Sequence, residues 1–551
     1  MKLLAILLSC VGAVAQEPTA VPPDPPKLGV ISGTVVVAGT GVPMKGVQVS
    51  IGRGAQARTA TTDAGGHYTL RDIAPGMLRV VATGPDANGR VGGFGPNAAR
   101  QISLAPGQEL STVDFQMILP GRITGRVVDQ NKEPVPGMSV VLVMREYTYG
   151  ASRAYIAGLA TTDDDGVYTL DRVTPGRTYA VVAKRGRRNL QPISDAPLEA
   201  ALRLPAVLPT YFPNAPSLDG GEPLVLRPGE VRENVDIRVT RTLSFCAEGV
   251  LEGSSGPDAV SFSISETQPS SGQTGSGGFY VAQPGGKTGP DGKFRLCDLH
   301  PGDYELTIYA YGSLGMGATQ FNSAVISVGD RDLKGIRLGL RPKIPVAGEV
   351  VIDGPPPETP IEAKLRIDTE ALTRTERGSA QASIPGEFAF EGGLQMDQYG
   401  VTFNGVPPGM YVKDVTYGGR SILNKPLPVG TAIGDAGLRV TLARDGGSVA
   451  ARVADKDGAP VADCTAVVLP STAASEAEFA ALMRNGLTDA AGKWSSATIA
   501  PGKYIALATR DAVNRSPEVI SKLWKARTRG TEFEITAGGK PTVTLEPRSL
   551  D

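Results

Sequence analysis

TTDDDGVYTLDRVTPGRTYAVVA, residues 161–183, decides the fold. Asp165-Gly166 makes a tight turn in which glycine supplies the positive φ that other residues resist. Tyr168, Leu170 and Val173 then carry the apolar side of a strand while Thr169 and Asp171 alternate away, the period of two of a half-buried strand. Pro175-Gly176 fits the two central positions of a type II turn. Tyr179 and Val181 begin the partner strand. The phrase is a hairpin that needs a larger body to pack on.

Worked outward, the phrase recurs as TTDAGGHYTLRDIAPGMLRV (61–80), TGPDGKFRLCDLHPGDYELTIYA (288–310) and TDAAGKWSSATIAPGKYIALAT (488–509), with a worn form, FNGVPPGMYV, at 403–412. A period of about 100 residues makes each copy one folding unit. An opening strand precedes each phrase: ISGTVVV from Ile31, ITGRVVD from Ile123, FCAEGVL from Phe245, PVAGEVV from Pro345 and SVAARVA from Ser448. A second strand follows a Pro- or Gly-bearing turn, as in PVPGMSVVLV from Pro134. A closing strand ends each copy: VDFQMIL, NVDIRVT, KGIRLGL, GLRVTLA and PTVTLEP. About seven short strands per hundred residues, punctuated by turns, predict an all-β chain of five tandem seven-stranded β-sandwich modules. Helical period is confined to the last copy, at Ser475–Asn485, with a Ser475/Glu478 capping box and Gly486 as the stop, and near Pro517–Arg527.

The opening G-x-V, the P-x-x-G-x-x-V strand and the D-x-x-G-x-Y-x-L…P-G-x-Y phrase resemble carboxypeptidase regulatory-like domains. These are prealbumin-like sandwiches related to collagen-adhesin B-type and starch-binding-like modules. The resemblance extends over residues 29–546 and implies a fold; it does not imply an activity. The intramolecular isopeptide of the collagen-adhesin relatives needs a lysine on the opening strand, and Ile31–Val37 and Ile123–Val128 contain none. The expected organisation is a signal peptide at 1–15, a Pro-rich linker at 16–28 and modules at 29–119, 120–241, 242–341, 342–443 and 444–551, with contacts mostly between consecutive modules.

Lys2, the apolar run Leu3–Val14 and the small residues Ala13-Val14-Ala15 before Gln16 read as an export signal, too short to span a bilayer. Cys10 after Leu7-Leu8-Ser9 resembles a lipidation box, a second reading of the same segment. The expected location is periplasmic, cell-surface or extracellular. The 551-residue chain holds 69 glycines and 44 prolines, mostly at turn positions, and its formal net charge is −1. No basic stripe or interleaved aromatic-basic run is present, which argues against nucleic acid as a partner.

Catalytic zinc needs closely organised histidine or cysteine ligands with a carboxylate. The two histidines, His67 and His300, lie in different copies, and neither HxxE nor HExxH occurs. A G-x-S-x-G elbow and a phosphate loop are also absent. The expected protein is therefore not an enzyme and carries no cofactor. Asp163-Asp164-Asp165 has the carboxylate density that calcium takes, and equally the composition of a solvated turn. Cys246 and Cys297, both in the third copy, are a disulfide candidate in an oxidising compartment, with two free thiols as the alternative. Candidate ligand-surface residues are Tyr147, Tyr149 and Tyr155 in REYTYGASRAYIAG and Tyr211 and Phe212 in the later insertion, since aromatic faces stack at low entropy cost; they serve equally as strand-packing residues. The expected function is binding or adhesion at the cell envelope, with a polysaccharide or an envelope protein as partner. The alternatives are a passive spacer or an accessory subunit of a transporter or hydrolase.

Overall fold

The structure is a computed structural model that describes residues 27–38, 40–52, 57–84, 97–148, 151–185, 205–252, 261–266, 286–287, 292–311, 318–355, 359–372, 376–430, 437–489 and 491–550. The export signal at 1–15, Cys10 and Tyr149 lie outside the described residues. The chain divides into two compact units, residues 1–119 and 120–551.

In the first unit the opening strand Gly29–Val37 alternates buried and half-buried positions, as a sheet with one covered face requires. It pairs antiparallel with His67–Ile73 on one side and parallel with Glu109–Leu110 and Phe115–Met117 on the other. A second sheet sets Gln48–Ile51 between Arg58–Thr61 and Gly76–Thr83, and Asn97–Leu104 extends it. Ile31, Val35, Val49, Tyr68, Leu70 and Phe115 fill the space between the sheets.

The second unit repeats this plan. Opening strands Gly121–Val128, Phe245–Glu252, Ala347–Ile352 and Ala450–Val453 each take an antiparallel neighbour from the phrase, namely Val167–Val173, Lys293–Leu299, Gly386–Ala389 and Lys493–Ser495. Each takes its closing strand in parallel. Parallel pairing of a copy's first and last strands demands a crossover through another layer, here the second sheet. Separate apolar cores form around Val181, Ile308, Ile367 and Ala466.

The two strands of each phrase lie in different sheets, so the phrase is an arch from one layer to the other and not the hairpin read from the sequence. The Asp163 carboxylate accepts the N–H groups of Asp165 (3.0 Å) and Val167 (2.8 Å), and Asp63 and Asp489 do the same in their copies. Thr162 Oγ1 accepts from Met138 N–H at 2.9 Å and donates to the Val135 carbonyl at 2.8 Å, tying the turn to the second strand. Gly166 has φ 72°, and a Cβ there would lie 2.6 Å from the Val127 carbonyl. The register sets a glycine of the opening strand opposite the phrase aromatic: Gly33 against Tyr68, Gly125 against Tyr168, Gly249 against Phe294 and Gly348 against Phe388. The missing Cβ lets the closing segment approach, and the Tyr168 hydroxyl donates to the Val235 carbonyl there at 2.6 Å.

Two further details differ from the sequence reading. In the fourth copy the phrase is not FNGVPPGMYV but the arch of Gly386–Ala389 and Asp397–Asn404, with Tyr399 donating to the Gln395 carbonyl as Tyr504 does to Ala500. Residues 405–410 instead lead to Tyr411–Tyr417, which pairs with the closing strand Leu438–Ala443. Pro-Gly followed by tyrosine is generic turn chemistry, and the lost Asp-Gly left nothing else to fix the register. The second detail is the stop of α1 (Glu476–Leu482). Ser475 caps it through Glu478 N–H at 3.2 Å, but Met483 already leaves helical geometry. Gly486 lies in the next strand, Arg484–Leu487, with no room for a side chain beside Trp494. The second helix, α2 (Pro517–Ala526), is capped by Ser516 and buries Ile520 and Leu523.

Candidate binding cleft

Tyr147 lies near the end of the long strand Met138–Thr148. Its backbone N–H donates to the Arg515 carbonyl at 2.7 Å, and its side chain packs on a cluster built from Phe479, Ile520 and Leu523 of the two helices. Burial raises the Tyr147 hydroxyl above the ordinary tyrosine value, and the Glu476 and Glu518 carboxylates add to the rise. The second copy thus touches the fifth. It also touches the fourth, where the buried Arg153 donates to the carbonyls of Ala371 and Leu372 at 3.1 Å each. These contacts join non-consecutive copies within 120–551, in addition to the consecutive-module contacts expected from the sequence. The β hairpin of the second copy is longer than its counterparts, and its end reaches past its own sandwich.

The remaining candidates fall elsewhere. Tyr155 is half-buried and donates to Thr148 Oγ1 at 2.7 Å across the hairpin. Tyr211 is 1% exposed: its strand pairs with Val182–Ala183 and turns the ring into a small core, so it is not a surface residue. Phe212 is half-buried against the main core of the same sandwich. Cys246 and Cys297 form a disulfide between neighbouring strands. Asp163 is occupied by its own turn, and among the described residues no group of three or more His, Cys, Asp or Glu side chains is placed to hold a metal.

Where the second, fourth and fifth copies meet, they wall a cleft of about 1500 Å³. The hairpin end at Glu146–Thr148 forms one edge. Val401–Asn404, Tyr411–Lys413, Val415 and Ile422–Lys425 form the second wall, and Arg484, Ala497–Tyr504 and Arg515 the third. The second and third walls are joined by Gly409 N–H donating to Thr498 Oγ1 at 3.3 Å.

The cleft carries perturbed groups. Burial, a hydrogen bond to Asp445 (3.1 Å) and that carboxylate's charge push the Tyr411 hydroxyl up to about 12. Burial raises Tyr504, opposed by the positive charge of Arg484. Burial and then the neighbouring Arg515 charge hold the Arg484 guanidinium below the usual arginine value, although solvent reaches it through the cleft. Arg484 Nη1 is fixed by the carbonyls of Leu482 (3.0 Å) and Met483 (3.3 Å), and Arg515 Nε by Ala480 (3.1 Å). Of the sequence candidates, Tyr147 alone among the described ones borders this cleft. Tyr411, Tyr504, Arg484 and Arg515 carried no sequence signal of their own, because three separate copies assemble the wall.

Comparison with known proteins places the fold of the first unit. Residues 30–118 match the carboxypeptidase regulatory-like domain. The resemblance read from the phrase is borne out there, and the match runs from the opening strand to the end of the first unit. No curated protein matches the chain in sequence. Among solved structures, the TIE protein of Bacillus anthracis is similar at 10% identity and a TM-score of 0.13, over 91% of this chain and 65% of that one. The chain thus spans just under two thirds of that protein's length. A streptococcal ancillary pilin is similar at 11% identity and TM-score 0.19, over 57% of this chain and 99% of that one. BcpA, the major pilin subunit of Bacillus cereus, gives 10% and 0.15, over 55% and 98%. Among the described residues no helix is long and apolar enough to cross a membrane.

Proposed function

We propose that the chain is an exported, non-enzymatic binding protein of the cell envelope, built of five β-sandwich modules at 29–119, 120–241, 242–341, 342–443 and 444–551. Polysaccharide is its leading class of ligand, and the reading requires no cofactor and no calcium. One observation carries it: three copies converge on one cleft, which holds tyrosines, arginines and neutral amides on strands and on the turns between them. A passive spacer has no need of such convergence. Concave sites with a few placed polar groups are where ligands bind, and this cleft exceeds the usual drug-sized range of roughly 300–1,000 Å³, so it suits a segment of polymer.

The test is retention of the purified protein on a panel of neutral and acidic polysaccharides and peptidoglycan, with calcium and with EDTA. Ala497 is an exposed residue on the cleft wall, and Ala497→Trp fills the space beside it. The reading predicts retention on one polymer in both buffers, abolished by Ala497→Trp. A spacer is retained on none, and retention that survives the tryptophan moves the site elsewhere.

A further inference from the structure

Five basic side chains line the cleft, Lys413, Lys425, Arg484, Lys503 and Arg515, against one acidic one, Glu146. Glu146 is already engaged by Arg177, and Lys413 is paired with Asp353. Among the described residues no ion pair joins the other four to an acidic side chain. In a chain of net charge −1 this is a local excess, and the whole-chain balance conceals it. A guanidinium has five N–H donors in a rigid fork. Arg484 spends only Nη1 on the protein and Arg515 only Nε, so both are anchored by backbone carbonyls with most of their donors uncommitted. The two like charges also sit close enough to disfavour each other, a cost that an anion between them removes.

Building on the binding function proposed above, we infer that the cleft takes a carboxylate-bearing polysaccharide, its acid groups held by Arg484 and Arg515 and steered by Lys425 and Lys503. Planar carboxylates match the guanidinium fork bidentately. Sugar rings match the rest of the wall, where the half-buried Tyr411 and Tyr147 lie with the neutral polar residues Asn404, Asn424 and Thr498. A small acid would leave most of the volume unfilled; a chain of uronate units places repeated charges along it.

The experiment measures binding of the full chain to polygalacturonate, to its methyl-esterified form and to poly-glutamate. Methyl esterification keeps every ring and removes the charges. The expected result is binding to polygalacturonate that weakens at high salt. It falls at least about tenfold on esterification, and as much with Arg484→Gln or Arg515→Gln, since hydrogen bonds to charged groups are the strong ones. If either arginine variant fails to fold, the double variant Lys425→Gln/Lys503→Gln, at two exposed positions, reads the same charge excess. Equal binding of the esterified polymer overturns the anionic inference and leaves the polysaccharide reading in place. Preference for poly-glutamate overturns it in favour of an acidic protein partner. Binding to none of the polymers, neutral glycans included, overturns both readings together.

Discussion

Replacing Gly125 by alanine tests the packing rule that the first four copies share; the fifth sets Ala451 against Trp494. An added Cβ would lie 2.0 Å from the Val235 carbonyl oxygen, 2.5 Å from its carbon and 3.0 Å from the Tyr168 hydroxyl. The first atom is backbone of the segment that feeds the parallel strand Ile237–Arg238, so relief requires that strand to move. Reaching an ordinary 3.4 Å contact takes a shift of 1.4 Å (3.4 − 2.0). Overpacking of this sort costs about 1–3 kcal/mol. The shift also breaks the buried Tyr168–Val235 hydrogen bond, whose loss costs about 1–3 kcal/mol more. The sum, about 2–6 kcal/mol, is a large part of a domain's usual 5–15 kcal/mol. A chain of several cores does not unfold in one step, so the readout is local: hydrogen exchange of the Gly121–Val128 amides. Gly158→Ala is the matched control in the same sandwich, with its nearest neighbour 3.5 Å away. Gly125→Ala exchange no faster than that of Gly158→Ala would refute the close-approach argument.

The Tyr411 hydroxyl, raised to about 12 from the ordinary value near 10, favours the folded state while neutral. Its contribution is complete below pH about 10 and is lost as pH climbs towards about 12; Tyr411→Phe should remove one tyrosine from the late-titrating group that phenolate absorbance shows, a group that buried tyrosines such as Tyr168 also join. Gly486→Ala would put a Cβ 2.1 Å from Trp494 Nε1, so the indole must swing out and its fluorescence shift to the red in a Trp524→Phe background, whereas an unchanged spectrum contradicts the packing. Because the Asp163 carboxylate already caps Asp165 and Val167 N–H, Asp163→Ala should lower the melting temperature while millimolar calcium leaves the unmutated protein unchanged. A calcium-dependent rise that Asp163→Ala abolishes would assign that turn to metal.

The sandwich was legible because its signals are local and each has a separate backbone task. Asp163 caps its own turn, Thr162 bridges to the second strand, and Gly125 yields space to Tyr168, all within one copy. The fourth copy shows the limit: once Asp-Gly is replaced by Ile384-Pro385-Gly386, turn residues alone misplace the phrase, and the glycine-to-aromatic register of Gly348 with Phe388 recovers it. Tyr147 was a fair candidate since it ends a strand longer than its neighbours. Tyr211 was not, because alternation could not say which face its two-residue strand turns inward. The cleft was invisible, since Arg484, Tyr411 and Tyr147 come together only through contacts between copies far apart in sequence.

The convergence of the second and fifth copies is the claim on which the cleft stands. A Cβ on Gly176 would lie 3.6 Å from the Ala512 Cβ, inside the roughly 3.5–4.5 Å range of disulfide-bonded cysteines. The decisive measurement is non-reducing peptide mapping of Gly176→Cys/Ala512→Cys after mild oxidation. The account predicts a 176–512 linked peptide in the monomeric protein, even though a side chain at the positive φ of residue 176 works against it. Unlinked thiols at both 176 and 512, with the native Cys246–Cys297 bridge intact and Cys464 free as before, would contradict it and dissolve the cleft.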